Sequence, residues 1–216
     1  MTIDPLATAG LVTREVRTGS RDASPTKIVI AQRTYPTGQA DLWDALTNPE
    51  RIPRWFLPVS GELRVGGRYQ FEGNAGGIVE RCDEPESFAV TWEFGETVSW
   101  LEVTLTPDGE RTALELAHEA HVTPELWGQF GPGAVGVGWD LALMGLGRHL
   151  DSGASVDPKE AAAFTASADG AAFIRSAAEG WATAAIGDGE EPDVARQASA
   201  RTVAFYTPPP GASAGS

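Results

Sequence analysis

Between residues 61 and 121 apolar side chains recur at every second position, segment after segment, and between 135 and 150 the period changes to that of a helix. In 61–72, Leu63, Val65, Tyr69 and Phe71 share one side, and Glu62, Arg64, Arg68, Gln70 and Glu72 the other. Segment 87–94 sets Phe88, Val90, Trp92 and Phe94 in phase, and 112–121 does the same with Leu114, Leu116 and His118. Period-two alternation predicts strands with one dry and one wet face. Turn signals separate them at Asn74-Ala75-Gly76-Gly77, Asp83-Glu84-Pro85 and Pro107-Asp108-Gly109. One-faced strands joined by short turns make an antiparallel sheet that something must cover.

The cover is predicted at 135–150. There Val137, Leu141 and Met144 form one stripe and Trp139, Leu143, Leu146 and Leu150 an adjacent one, a face wide enough for a largely buried helix. Upstream, 26–35 reads as a strand, 39–47 as a helix, and 49–57 as a second short helix. Gly66-Gly67 reads as a bulge within one strand. The fold class is therefore α+β, an antiparallel meander with helices gathered on one side. After Leu150 the composition turns to Ala, Ser, Asp and Gly. Asp157-Pro158-Lys159-Glu160 resembles a helix start. Segment 168–186 carries Phe173, Ala177, Trp181 and Ala185 at helical spacing, and a last helix runs from Pro192 to about Tyr206. The expected organisation is an N-terminal segment 1–25, a domain 26–150, a helical extension 151–206 and a disordered tail 207–216.

The charge narrows the partners. Residues 1–150 hold 12 Lys/Arg against 21 Asp/Glu, and 151–216 hold 4 against 9, so both parts are acidic and the total is −14. Such a field repels nucleic acid and anionic membranes. No apolar run reaches the ~18 residues of a membrane span, and no basic region followed by an apolar one marks a signal peptide. A lone cysteine, Cys82, rules out an intrachain disulfide and fits a reducing compartment. A cytoplasmic protein is expected.

Trp43-Asp44-Ala45-Leu46-Thr47-Asn48-Pro49-Glu50-Arg51-Ile52 and Arg54-Trp55-Phe56 resemble the opening helical pair of the activator-of-Hsp90-ATPase-homologue branch of the START-like (SRPBCC) superfamily. Gly66-Gly67-Arg68-Tyr69-Gln70-Phe71, Gly77-Ile78-Val79-Glu80, Trp92-Glu93, the paired segments 99–105 and 112–118, and Gly138-Trp139-Asp140 through Leu150 follow in the family's order. The resemblance covers about 26–150 and leaves the extension uncharacterised. It implies a helix-grip fold, with a curved sheet around a long C-terminal helix and a cavity between them. It implies a small hydrophobic or amphipathic ligand, a cyclase- or hydratase-like activity, or a chaperone-linked role in stress response, with a protein partner or homodimer. It implies no cofactor.

Trp55, Tyr69, Phe71, Trp92, Trp139, Leu143 and Met144 are the apolar candidates for the cavity wall. His118, in phase with Leu114 and Leu116, either faces the cavity as a polar contact or acid–base group, or is a satisfied core residue. Glu80, in phase with Ile78 and Cys82, is a cavity carboxylate or an outward one. Cys82 reads as a buried structural thiol, and His121 and His149 as exposed or end-of-element residues. No zinc, phosphate-loop or GxSxG spacing occurs, so no catalytic or metal set is assigned. If the Phe173/Trp181/Phe205 stripe packs on the domain, the extension is a lid or brace. If it is exposed, it is a docking surface.

Overall fold

The computed structural model describes residues 4–207, so the expected tail from 208 onward lies outside the described residues. The order of elements is α1 (Pro5–Ala9), β1 (Thr13–Arg21), β2 (Ser24–Tyr35), α2 (Gln39–Thr47), a single 3₁₀ turn (Ile52–Arg54), β3 (Val59–Gly61), β4 (Arg68–Phe71), β5 (Gly76–Asp83), β6 (Ser87–Phe94), β7 (Thr97–Asp108) and β8 (Arg111–Ala120). Five helices follow: α3 (Pro124–Phe130), α4 (Gly133–Ser152), α5 (Pro158–Thr165), α6 (Ala168–Gly187) and α7 (Pro192–Tyr206). The strands form a single antiparallel sheet in the order β1-β2-β8-β7-β6-β5-β4-β3. Among the described residues no helix is long and apolar enough to cross a membrane.

The core lies between α4 and one face of this sheet. Val29, Ala31 and Tyr35 of β2, Leu101, Val103 and Leu105 of β7, and Leu114 and Leu116 of β8 meet Val137, Leu143 and Leu146 of α4. The glycines that weaken α4 intrinsically are what allow it to sit so close. A Cβ on Gly145 would press on the Trp55 carbonyl, and one on Gly136 would overlap the Trp181 indole.

The sheet is larger at both ends than the alternation indicated. β1 pairs along its whole length with β2, through a two-residue turn in which Asp22 and Ala23 both have positive φ, the hairpin geometry that suits the strand twist. The expected boundary at residue 25 therefore falls inside a hairpin. At the other end, 61–72 is not one bulged strand. Gly66, at φ +78°, and Gly67, packed against the Glu62 backbone, turn the chain back and leave the short β3 and β4. The second helix expected over 49–57 is reduced to the 3₁₀ turn, which Arg51 ties to α2 through Asp41 (2.7 Å) and Asp44 (2.9 Å).

Most of the extension's apolar stripe packs on the domain. Phe173, Ala177, Trp181 and Ala185 are all buried, and α6 packs on α1, β1 and α4. One of its polar links to the domain is internal. Arg14 of β1 donates to both carboxylate oxygens of Asp140 on α4 (3.1 and 2.9 Å), and the Trp181 indole N–H donates to the same carboxylate (2.7 Å). Asp140 is fully buried. Burial raises its pKa, and the Arg14 guanidinium and the Trp181 N–H oppose that. Phe205 leaves the stripe and is exposed, against Phe130 and Tyr206. At α5 the expected start holds: the Asp157 carboxylate accepts from the Lys159 backbone N–H at 2.8 Å.

Candidate ligand cavity

Between the sheet and the α2–α4 layer lies a cavity of about 140 Å³. Strands β4 to β8 supply its floor, with Tyr69 and Phe71, Val79 and Cys82, Phe88, Val90 and Trp92, Leu101 and Val103, and Leu116. Leu46 and Thr47 of α2, Ile52, Trp55, Phe56 and Trp139 of α4 roof it. The polar groups of this wall are turned away into the protein's own backbone. Trp55 N–H donates to the Ala45 carbonyl (2.9 Å), Tyr69 O–H to the Thr91 carbonyl (2.7 Å), and the Thr47 hydroxyl to the Trp43 carbonyl (2.8 Å). Among the described wall residues the Cys82 thiol and the Trp92 indole N–H have no such partner, and the Trp139 N–H donates to His118 (3.0 Å). What remains is hydrocarbon and aromatic surface, which holds a ligand by apolar burial and dispersion rather than by polar recognition.

On the other side of Phe56, Trp92 and Trp139 lies a second, more open space of about 510 Å³. Ser99 and His118 form its floor, Phe94 and Thr97 of the β6–β7 hairpin one flank, Trp127 and Phe130 of α3 another, and Val135 and Gly138 of α4 a third. The extension sets the α3 wall. Trp127 N–H donates to Glu190 (2.9 Å), and Arg201 donates to the Gln129 and Gly128 carbonyls (2.6 and 2.9 Å). Four rings close the partition between the two spaces: Phe56 on Phe71 (5.0 Å between centroids), Phe71 on Trp92 (5.7 Å), Trp92 on Trp139 (5.1 Å) and Trp139 back on Phe56 (6.4 Å).

His118 is a strut in this structure. The Trp139 indole N–H donates to its Nδ1 (3.0 Å), which places the ring proton on Nε2. That proton is donated to Ser99 Oγ (2.8 Å), whose hydroxyl donates to the Trp92 carbonyl (3.0 Å). Burial pushes the imidazole pKa down to about 4, because a low-dielectric site disfavours the charged ring. Both nitrogens are committed and no lone pair faces the inner cavity.

The other candidates divide. Trp55, Tyr69, Phe71, Trp92 and Trp139 line the inner cavity. Glu80 does not, because the register of β5 against β6 shifts between Val79 and Arg81. The bulge leaves Glu80 exposed and brings Val79 and Cys82 into phase on the covered face. Leu143 and Met144 lie one turn along α4, where helix and sheet are filled in; both are core residues and neither lines the cavity. Cys82 is exposed at the cavity's edge rather than buried. Partial burial, with Glu84 and Asp83 beside it, raises its thiol pKa, the reverse of an activated nucleophile. His149, in the last turn of α4, is only 2% exposed and donates from Nδ1 to the Ala154 carbonyl (2.9 Å). Among the described residues no group of three His, Cys, Asp or Glu side chains is placed to hold a metal.

Wall residues absent from the sequence-based set, such as Phe88, Val90, Leu101 and Leu116, lie on the dry sides of the same strands. Phe56 and the α3 residues carried no such signal.

Residues 36–151 match the family described as Activator of Hsp90 ATPase homolog 1-like protein. The chain is also similar to the crystal structure of CalU16 from Micromonospora echinospora, at 28% identity and a TM-score of 0.63, covering 80% of this chain and 97% of that one. The solution structure of CalU16 gives 26% identity and a TM-score of 0.66, covering 82% and 97%. Protein MLL2253 from Mesorhizobium loti shares the fold at 22% identity and a TM-score of 0.52, covering 57% of this chain and 96% of that one. No curated protein matches the sequence. With more than half of its length inside the family match, the chain belongs to the activator of Hsp90 ATPase homolog 1-like family, with the helix-grip fold of the START-like superfamily.

Proposed function

We propose that this protein binds a small hydrophobic or amphipathic molecule in the space between the sheet and α4, and performs no chemistry on it. The observation that carries the reading is the chemical bareness of the inner cavity. The Trp55 indole, the Tyr69 phenol and the Thr47 hydroxyl are bonded to backbone carbonyls behind the wall, so the surface offered to a guest is mostly apolar. A well-packed interior has few voids larger than a water molecule, and leaving this one open forgoes dispersion and burial that filling it would recover. A guest recovers both. The reactive alternatives lack a partner: His118 is held neutral between Trp139 and Ser99, Glu80 points to solvent, and Cys82 has a raised pKa.

Native mass spectrometry of the protein purified from cells tests this, with denaturing mass spectrometry of whatever co-purifies. The expected result is a stoichiometric adduct of a small hydrophobic compound, or a stable one-to-one complex when the purified chain is offered toluene. A clean mass in both cases contradicts the reading.

A further inference from the structure

Size decides what kind of guest this interior takes. The inner cavity, at about 140 Å³, matches the ~150 Å³ engineered apolar cavity that stays dry and holds benzene. It admits one ring or a short branched chain. Small-molecule sites for larger ligands run from ~300 to ~1,000 Å³, and the outer space, at about 510 Å³, falls in that range. The two share Phe56, Trp92 and Trp139 as a common wall. Of these, Trp139 is pinned by its hydrogen bond to His118. Phe56, half-buried in the segment between the 3₁₀ turn and β3, has only ring contacts to hold its side chain. No hydrogen bond pins its side chain.

Trp92, which lines both spaces, also carries a polar group. Among the described residues the Trp92 indole N–H makes no hydrogen bond, and it is not sealed from solvent. Around it the groove offers the faces of Trp127, Phe130 and Phe94, surfaces on which a planar ring system stacks.

We propose that the inner cavity and the outer groove are two compartments of one site. Its ligand is then a bipartite molecule: a single-ring-sized apolar group inside, a larger planar apolar body in the groove, and a hydrogen-bond acceptor between them that meets the Trp92 N–H. The proposal rests on the ligand-binding reading above and deepens it. Binding swings Phe56 aside and leaves the Trp139–His118–Ser99 chain in place.

Competition on the full-length, unmodified chain tests it, followed by tryptophan fluorescence and calorimetry. The probes are toluene (inner compartment alone), naphthalene (groove alone), phenyl naphthyl ketone (both, with an acceptor at the joint) and benzylnaphthalene (both, without one). The expected result is that toluene and naphthalene bind together, that each displaces the ketone, and that the ketone binds more tightly than benzylnaphthalene by about tenfold or somewhat less, the worth of one hydrogen bond. If only one of the two small probes displaces the ketone, the compartments are independent and the bipartite ligand is wrong, while the binding reading stands. If the ketone and benzylnaphthalene bind equally, the acceptor at Trp92 is wrong. If no probe binds, this proposal and the ligand-binding reading fall together.

Discussion

Two parts of this interior solve opposite problems. Where β1, α4 and α6 meet, polar side chains from three elements satisfy one another: Arg14, Asp140 and Trp181 share three hydrogen bonds around a fully buried carboxylate. Where β4–β8 meet α2 and α4, polar side chains bond backward to their own backbone and the space in front of them stays empty. The first arrangement fixes how the extension sits on the domain. The second leaves room. A buried ion pair is weak evidence for net stability but costly to halve, whereas an apolar cavity costs a little and accepts a guest. The contrast separates a region whose polar groups close on one another from one whose apolar wall leaves space.

The sharpest way to break the first half of the contrast is Asp140→Ala. It leaves Arg14 buried without its counter-charge and Trp181 without its acceptor, and an unfolding free energy lower by ~3–5 kcal/mol is expected in denaturant titration. Pairing Asp140→Leu with Arg14→Met should recover much of that. If Asp140→Ala unfolds like the parent, the three-way link does not hold the extension.

Next in size is a pH effect centred on His118. Its folded pKa, about 4, lies below the ~6.5 of an unfolded histidine. Above pH 6.5 the ring is neutral in both states and nothing is lost. As pH falls from 6.5 to 4 the unfolded chain takes up a proton that the native one refuses, so stability declines by up to about 3 kcal/mol across that window. The difference between parent and His118→Gln should show this slope removed. An identical slope in both would mean that the Trp139–His118–Ser99 chain is not closed as described.

The smallest effect sharpens the second half. Val90→Phe adds bulk into empty space rather than into a filled core, so stability should change by less than ~1.5 kcal/mol while toluene binding is lost. A cost of several kcal/mol with binding retained would place the void elsewhere.

How far the sequence showed this in advance follows from where the physics is periodic. β6, β8 and α4 are legible because each buries one regular face, and the extension helices because of their apolar spacing and punctuation. β1 was not: of its nine residues only Val16 is buried, so an edge strand braced by α6 looks like a polar segment. The sequence leaves Glu80 open between cavity and outward, because nothing in Gly77-Ile78-Val79-Glu80 announces the bulge that shifts the phase of β5. The role of His118 depends on Trp139 and Ser99, partners from other elements that spacing along one strand cannot supply. The outer groove was invisible for a related reason: its α3 wall is held by Glu190 and Arg201 of the extension.

The most direct test of the central claim is a crystal structure of the protein under xenon pressure, since xenon seeks dry apolar voids. The account predicts a xenon site enclosed by Phe71, Val90, Leu101 and Leu116, and none beside Asp140. An inner cavity without xenon, or one filled by ordered water, would contradict it.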